Sequence, residues 1–119
     1  MEEIWRDVKD YVGFYQVSNL GRVRSIPRIL SDNRCKRIFK GRILSPGLQS
    51  NNYLGVWLYK NGKRKSVLIH HLVTETFIGE RPYLHDVDHK DRNHLNNTLD
   101  NLKYKAISLN RGEHRKTLK

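Results

Sequence analysis

The chain has 119 residues, with 23 Lys or Arg against 12 Asp or Glu and a net charge of +11. Its length predicts one domain or two small units, and its charge predicts a polyanionic partner, foremost a nucleic acid. The single cysteine, Cys35, excludes an internal disulfide and a four-cysteine zinc site. No run approaches the roughly twenty apolar residues of a membrane span, and the acidic start "MEEIWRDVKD" lacks a signal-peptide pattern. We therefore expect a cytoplasmic protein that does not bind membranes.

Short strands are predicted in the first half of the chain. The stretch "FYQVSNLGRVRSI" (14–26) predicts two strands joined by a turn at "SNLG". Residues 27–44 show no sustained period, so we predict a loop with short strand pieces at its end. The cations of "RVRSIPR", Arg22, Arg24 and Arg28, are candidates either for a solvated edge or for DNA contacts.

The clearest local prediction is a hairpin within residues 53–70. Two apolar runs flank "KNGK", and Asn-Gly is the strongest short-range hairpin signal. The cations Lys60, Lys63, Arg64 and Lys65 surround that turn. They indicate either a solvated hairpin tip or a basic ribbon that contacts DNA, and the pattern leaves both open.

The second half predicts a helix followed by a small ββα unit. The apolar positions of "IHHLVTETFIG" (69–79) have helical spacing, and Gly79 ends the segment. Strands at 87–89 and 101–106 enclose a polar loop at 90–97, and a last helix is predicted to begin at Ser108. The predicted fold class is thus α+β: small antiparallel hairpins or a sheet with a helix, then a ββα unit. We place the boundary between a β-rich module at 1–68 and this unit, with its preceding helix, at 69–119.

Phosphodiester hydrolysis is the chemistry that Asp88 and His89 suit. Neighbouring side chains on a strand diverge, whereas in-line hydrolysis needs a base on the attacking side of phosphorus and charge stabilisation on the leaving side. Histidine titrates near neutrality and fits the first role. Carboxylate and amide oxygens favour a hard divalent cation, Mg²⁺ or Mn²⁺, on the other side. The Asn-rich loop between the strands has a structural task as well, because Asn and Asp side chains hydrogen-bond loop backbone where little core is available.

The stretch "VDHKDRNHLNNTLDNLKY…SLN" resembles the HNH, or ββα-metal, nucleases of the phage and intron homing branch. The motif positions fall on His89, Asn101 and Asn110, and "IHHLVTETFIG" resembles the helix that precedes the unit in that branch. The N-terminal "IWRDVKDYVGFYQVSNLGRVRSI" resembles a short nuclease-associated DNA-binding module.

The resemblance implies a metal-dependent DNA endonuclease, which nicks or cuts both strands, acts in the host cytoplasm if phage-encoded, and is a monomer or a dimer. It implies that Asp88 and Asn110 hold the metal, that His89 is the general base and that Asn101 completes the catalytic set by orienting the loop. Arg92 occupies a position where relatives often have Gly, and it is a candidate phosphate contact. The alternative is an inactive HNH-like fold that binds DNA or RNA without cutting it.

Overall fold

The computed structural model describes residues 2–31, 36–49 and 52–107 of the chain. Within these residues it is built of short antiparallel strands around one α-helix, which confirms the predicted α+β class. The helix, α1, spans Ile69–Phe77. A single 3-10 turn spans Leu99–Asn101. The strands are β1 (Trp5–Asp7), β2 (Tyr15–Ser18), β3 (Val23–Ser25), β4 (Arg28–Ser31), β5 (Lys36–Phe39), β6 (Gly47–Leu48), β7 (Leu54–Lys60), β8 (Lys63–Leu68), β9 (His85–His89) and β10 (Leu102–Ala106).

The strands form small sheets, each joining neighbours along the chain. Strands β1, β2 and β3 form one sheet, and β6, β7 and β8 form another; β4 pairs with β5 and β9 with β10. Asn61 and Gly62 both have positive φ, 54° and 76°, between the paired ends of β7 and β8. A two-residue turn needs this conformation to match the twist of its strands, and the predicted hairpin is therefore confirmed.

The segment 27–44 departs from the prediction. Strand β4 begins at Arg28, directly after Pro27, and pairs with β5 as a two-stranded ribbon, whereas strand pieces were predicted only at the end of this segment. Ile29 lies opposite Ile38, and both side chains are more than 70% exposed, at 71% and 73%. Because this pair contributes little to the core, its sequence carries no apolar face from which the strands could be recognised.

The core is one cluster that draws on both halves of the chain. Val17 and Val23 of the first sheet and Leu58 of β7 pack with residues of α1 and with Leu102 of β10. Val73 of α1 is fully buried, and Ile69 and Leu72 are nearly so. The helical spacing of the apolar positions in residues 69–79 predicts a helix, and α1 confirms it. The helix thus packs against both sheets and the β9–β10 pair, and it fixes their relative positions.

The β9–β10 pair provides the two strands of the predicted ββα unit. The antiparallel register sets His89 opposite Leu102 and Asp88 opposite Lys103. The helix predicted from Ser108, with Asn110 and His114 on it, lies outside the described residues, as does Cys35. No helix in the described part of the chain is long and apolar enough to cross a membrane.

Candidate active site

His89 ends strand β9 with its ring buried, at 5% exposure. Its Nε2 lies 2.9 Å from the Oδ1 of Asn97, a residue that is itself 4% exposed. An amide oxygen only accepts hydrogen bonds, so Nε2 carries the proton and donates it to Asn97. The lone pair of the neutral ring is then on Nδ1. This is the tautomer in which Nδ1 can accept a proton as a general base.

Asp88 precedes His89 and lies on the other side of the strand, as strand alternation requires. It is half-buried. Among the described residues no hydrogen bond or ion pair engages its carboxylate. A half-buried carboxylate without a partner is suited to a cation, because burial of an uncompensated charge is costly.

Asp91 is the centre of the loop between the strands. Its Oδ1 accepts hydrogen bonds from the backbone N–H of Asn93, at 2.8 Å, and from Asn101 Nδ2, at 3.0 Å; its Oδ2 accepts one from Asn96 Nδ2, at 2.9 Å. These hydrogen bonds, the one from the Asn96 side chain foremost, lower the pKa of Asp91 below its usual value. Hydrogen bonds from polar side chains, instead of a hydrophobic core, thus hold the loop.

Asn101 lies at the end of the 3-10 turn, just before β10, and is buried. Besides its bond to Asp91, its Nδ2 donates to the carbonyl of Asn96 at 2.8 Å, and its Oδ1 accepts the backbone N–H of Asp91 at 3.1 Å. Its backbone carbonyl accepts the N–H of Lys90 at 2.8 Å. One residue therefore fixes both sides of the loop that follows His89.

Aromatic rings pack around His89. The ring of Tyr53 stacks on His94 at 4.3 Å and lies 5.9 Å from His89, while His70 meets His89 edge to face at 5.1 Å. His70 is 5% exposed, and burial, then the neighbouring His71 and His89, lowers its pKa to about 3. His70 is therefore neutral near pH 7 and packs against the site without adding charge.

Arg92 adopts a left-handed conformation, with φ at 62°. Its backbone N–H donates to the carbonyl of His89 at 2.8 Å, which closes a tight turn directly after the strand. Side chains disfavour this region and glycine does not. The conformation explains why glycine suits this position, and it presents the Arg92 side chain to solvent.

Of the eight predicted DNA-binding cations, several are held within the protein. Arg22 forms a two-point ion pair with Glu3 and lowers the pKa of that carboxyl to about 2. Arg24 donates to Gln16 at 2.7 Å and lies 4.2 Å from the ring of Trp5. The guanidinium of Arg28 lies 4.7 Å from the ring of Phe14, and Lys60 donates to the carbonyl of Asp10.

The remaining four cations are exposed on the protein surface. The side chains of Lys63, Lys65 and Arg92 are exposed and make no hydrogen bond or ion pair with another described residue. Arg64 lies 4.5 Å above the ring of Trp57, which is 45% exposed. Trp57 lies outside the core, because alternation along β7 turns it to the outer face, beside Tyr59.

Three residues of the site were not identified from the sequence: Asn97, Asp91 and Tyr53. For the "NN" at 96–97 the sequence predicts only hydrogen bonds within the loop. In the structure Asn96 donates to Asp91, whereas Asn97 accepts a hydrogen bond from His89. Tyr53 lies 36 residues before His89 (89 − 53 = 36), so no local spacing could have linked the two rings. Only the packing of the hairpin against the loop brings them together.

Comparison with known families finds one match for each half of the chain. Residues 67–108 match the HNH endonuclease family, and residues 3–59 match the NUMOD4 motif. The chain therefore contains a segment, residues 67–108, that matches the HNH endonuclease family, and this segment is called the HNH unit. The chain carries a NUMOD4 module before the HNH unit, in agreement with both resemblances seen in the sequence.

Phage proteins are among the relatives of the chain. It is 35% identical over 106 residues to DNA endonuclease I-HmuI of Bacillus phage SP01, and the aligned region covers 89% of the chain and 54% of the relative. It is 42% identical over 64 residues to H-N-H endonuclease F-TflII of Escherichia phage T5, covering 51% of the chain and 33% of the relative. The chain thus spans about half or less of the length of these relatives.

A solved structure shares the fold of the whole chain. It is the one described as "DNA binding and cleavage by the HNH homing endonuclease I-HmuI", with a TM-score of 0.69 and 35% identity. The match covers 100% of this chain and 62% of that one. The fold is therefore one that a solved HNH homing endonuclease also has.

HNH endonucleases generally use divalent metal ions. In the described part of this chain no group of three or more His, Cys, Asp and Glu residues could hold a metal. Asp88 fits one ligand position, because its carboxylate lacks a partner there. The second predicted ligand, Asn110, lies outside the described residues.

Proposed function

We propose that this protein is a metal-dependent DNA endonuclease of the phage or homing type, which hydrolyses phosphodiester bonds by nicking or by double-strand cleavage. The observation that carries the proposal is the His89 ring, whose Nε2 donates to Asn97 while the Asp88 carboxylate beside it has no partner among the described residues. A base and an available carboxylate on opposite sides of one strand suit in-line displacement at phosphorus.

The His89 ring carries the proton transfer in this mechanism. Nδ1 accepts a proton from water as the water oxygen attacks phosphorus, and the bond from phosphorus to the 3′ oxygen breaks on the opposite side. Asn97 accepts a hydrogen bond from the Nε2–H of the resulting imidazolium and keeps the ring in place. A divalent cation, Mg²⁺ or Mn²⁺, held by Asp88 and Asn110 would stabilise the negative charge that develops on the leaving oxygen.

DNA is the proposed substrate and partner. Relatives named DNA endonuclease and H-N-H endonuclease support it, as does the net charge of +11. The displayed cations Lys63, Lys65 and Arg92 are the proposed phosphate contacts. Arg22, Arg24, Arg28, Lys60 and Arg64 have intramolecular partners, and we assign them to DNA only where a phosphate can share or replace that partner.

The test is cleavage of supercoiled plasmid with Mg²⁺, with and without EDTA. We expect nicked or linear product in Mg²⁺, none in EDTA, and restoration by Mg²⁺ or Mn²⁺. His89→Ala should lower the rate on the order of 10²–10⁴-fold, the range for loss of a general base. It should bind DNA as the unaltered protein does.

Two results would contradict the proposal. Binding without cleavage under any divalent cation would instead support an HNH-fold module that binds nucleic acid without cutting it. Full activity in EDTA, or in His89→Ala, would remove the metal or the base from the mechanism.

A further inference from the structure

The turn between β2 and β3 contacts the loop that carries Asn97. The backbone N–H of Leu99 donates to the carbonyl of Asn19 at 2.7 Å, across 80 residues of chain (99 − 19 = 80). The Asn19 side chain ties the turn to the N-terminal segment: Oδ1 accepts the N–H of Ile4 at 2.7 Å, and Nδ2 donates to the carbonyl of Glu2 at 3.0 Å. Ser18, fully buried, accepts the N–H groups of Leu20 and Arg22. The turn is therefore a fixed support.

Gly21 makes the closest approach. A Cβ added there would lie 2.8 Å from the backbone oxygen of Asn97, 3.0 Å from its carbonyl carbon and 3.0 Å from its Cβ. No room remains for a side chain between the turn and Asn97. The glycine thus lets the NUMOD4 turn pack directly on the backbone of the residue that holds His89.

The amide of Asn97 has few other restraints. Its Nδ2 is buried and has no hydrogen-bond partner among the described residues, so within that part of the chain the bond from His89 to Oδ1 is the one that holds this amide. Packing against Gly21 and the nearby Leu99–Asn19 bond must fix the Asn97 backbone from which that amide projects. A shift of this backbone is passed to the imidazole ring.

We propose that the Ser18–Arg22 turn of the NUMOD4 module is a positioning element of the nuclease site, which fixes Asn97 and through it the orientation and tautomer of His89. This inference rests on the proposed function for its catalytic consequence. It gives the NUMOD4 module a task in the chemical step, beyond any affinity for DNA. Asn97 and Gly21 are positioning residues, since neither has been assigned contact with the reacting atoms.

The chain supplies a matched control for Gly21→Ala. Gly13 has the same φ, 85°, but a Cβ there would meet nothing within 4 Å. Gly13→Ala and Gly21→Ala therefore share the backbone strain of a side chain at positive φ, and they differ in the collision with Asn97. The quantity to compare is the single-turnover cleavage rate at saturating DNA and Mg²⁺, together with the Kd for DNA.

We expect Gly21→Ala to cleave roughly 10- to 100-fold more slowly than Gly13→Ala, because an ångström-scale misplacement of a catalytic group costs about this much. The Kd should agree within about threefold, which separates positioning from binding. In a His89→Ala background the difference between the two glycine variants should disappear, since no imidazole is left to misplace. Equal single-turnover rates in the two variants would overturn the inference.

A second readout does not depend on activity. Long-range ¹⁵N–¹H NMR spectra of the histidine rings report the tautomer of His89, and we expect Nε2–H in the unaltered protein and in Gly13→Ala. Gly21→Ala should lose this preference, as should Asn97→Leu. An unchanged tautomer in both would overturn the inference even if the unaltered protein cleaves DNA. Lack of cleavage by the unaltered protein with an intact tautomer response would refute the nuclease alone.

Should Gly21→Ala fail to fold, Asn19→Ala gives the same test without a collision. It removes the two side-chain hydrogen bonds that anchor the turn. Gln16→Ala is the matched control, because its side chain bonds Asp7 and Arg24 within the same sheet and makes no hydrogen bond to the described residues of the loop. A slower chemical step in Asn19→Ala alone is expected; equal rates would overturn the inference.

Discussion

The asparagines of the loop show how one residue type serves different ends. The Asn101 amide makes hydrogen bonds to loop groups through both its oxygen and its nitrogen, Asn96 donates a hydrogen bond to Asp91, and Asn97 accepts a hydrogen bond from a buried imidazole. The difference lies in burial and in the partner. Asn97 faces the interior beside His89, whereas Asn96 remains partly exposed at the loop surface.

Asp88 is the residue on which metal dependence should turn. Asp88→Ala is expected to be more severe than Asn110→Ala, because it removes the carboxylate from a predicted ligand pair whose other member is a neutral amide. Asp88→Asn keeps the shape and loses the charge, so raised Mn²⁺ should restore part of its activity. The measurement is cleavage rate against Mn²⁺ concentration for the three variants. Equal metal dependence in Asp88→Asn and the unaltered protein would contradict this role.

Arg92 allows charge and backbone strain to be separated. Arg92→Ala and Arg92→Gly both remove the cation, but only glycine relieves the left-handed conformation. We expect equal weakening of DNA binding, and a fold more stable in Arg92→Gly than in Arg92→Ala by about 1 kcal/mol. Urea unfolding and DNA titrations measure the two effects. A loss of affinity in Arg92→Ala that Arg92→Gly does not share would assign the effect to the loop backbone instead of the charge.

At the scale of elements, the β7–β8 hairpin has two faces with different tasks. Val56 and Leu58 enter the core, while Trp57 and Tyr59 face outward, and Arg64 covers Trp57. The side chains of Lys63 and Lys65 near its tip make no hydrogen bond or ion pair with another described residue, whereas Lys60 donates to the carbonyl of Asp10. The same strand therefore stabilises the fold and displays a basic, aromatic surface.

The salt dependence of DNA binding tests this surface. Lys63→Ala with Lys65→Ala should flatten the slope of log K against log salt by roughly 0.9 for each phosphate that the protein no longer neutralises. Lys60→Met, in the same hairpin, is the control, because Lys60 already donates to the carbonyl of Asp10. It should change the slope less. If the double variant leaves the slope unchanged, the hairpin tip is a solvated surface.

At the scale of the whole molecule, α1 connects the core to the site. Its Ile69, Leu72 and Val73 pack into the shared cluster, and His70 on the same helix lies against His89. The stability of the fold and the surroundings of the His89 ring thus depend on one helix. His70 in addition makes the stability of the fold depend on pH.

The His70 ring should make stability fall on mild acidification. Burial lowers its folded-state pKa to about 3, whereas an unfolded chain keeps the ordinary 6.5, so the unfolded state takes up the proton first. This contribution to stability is intact above pH 6.5 and is lost as the pH falls toward 3. Between pH 7.5 and 5 the free energy of unfolding should drop by about 2 kcal/mol from this group.

Urea unfolding of the protein and of His70→Phe at pH 7.5 and pH 5 measures this drop. The variant cannot take up the proton, so it should lose less stability between the two values. That range lies above the pH at which the Glu3 carboxyl titrates, which keeps its ion pair with Arg22 out of the comparison. An equal drop in both proteins would show that His70 does not carry the effect.

The sequence by itself determined the elements whose signals are local. Asn-Gly specifies the β7–β8 turn through positive φ, the spacing of Ile69, Leu72 and Val73 specifies α1, and the adjacent Asp88 and His89 specify two side chains on opposite sides of a strand. Each depends on residues within a few positions of one another. The family resemblance was readable for the same reason, since its motifs are short runs.

Only the tertiary structure determined which residues, distant in sequence, contact the loop of the HNH unit. Gly21 against Asn97, Tyr53 against His94 and Asn19 against Leu99 join residues 41 to 80 positions apart, and no periodicity links them. The exposed β4–β5 ribbon escaped prediction for the converse reason, because strands that bury little show no apolar alternation. Local sequence signals therefore identified the candidate catalytic residues, and packing across the shared core determined what holds them in position.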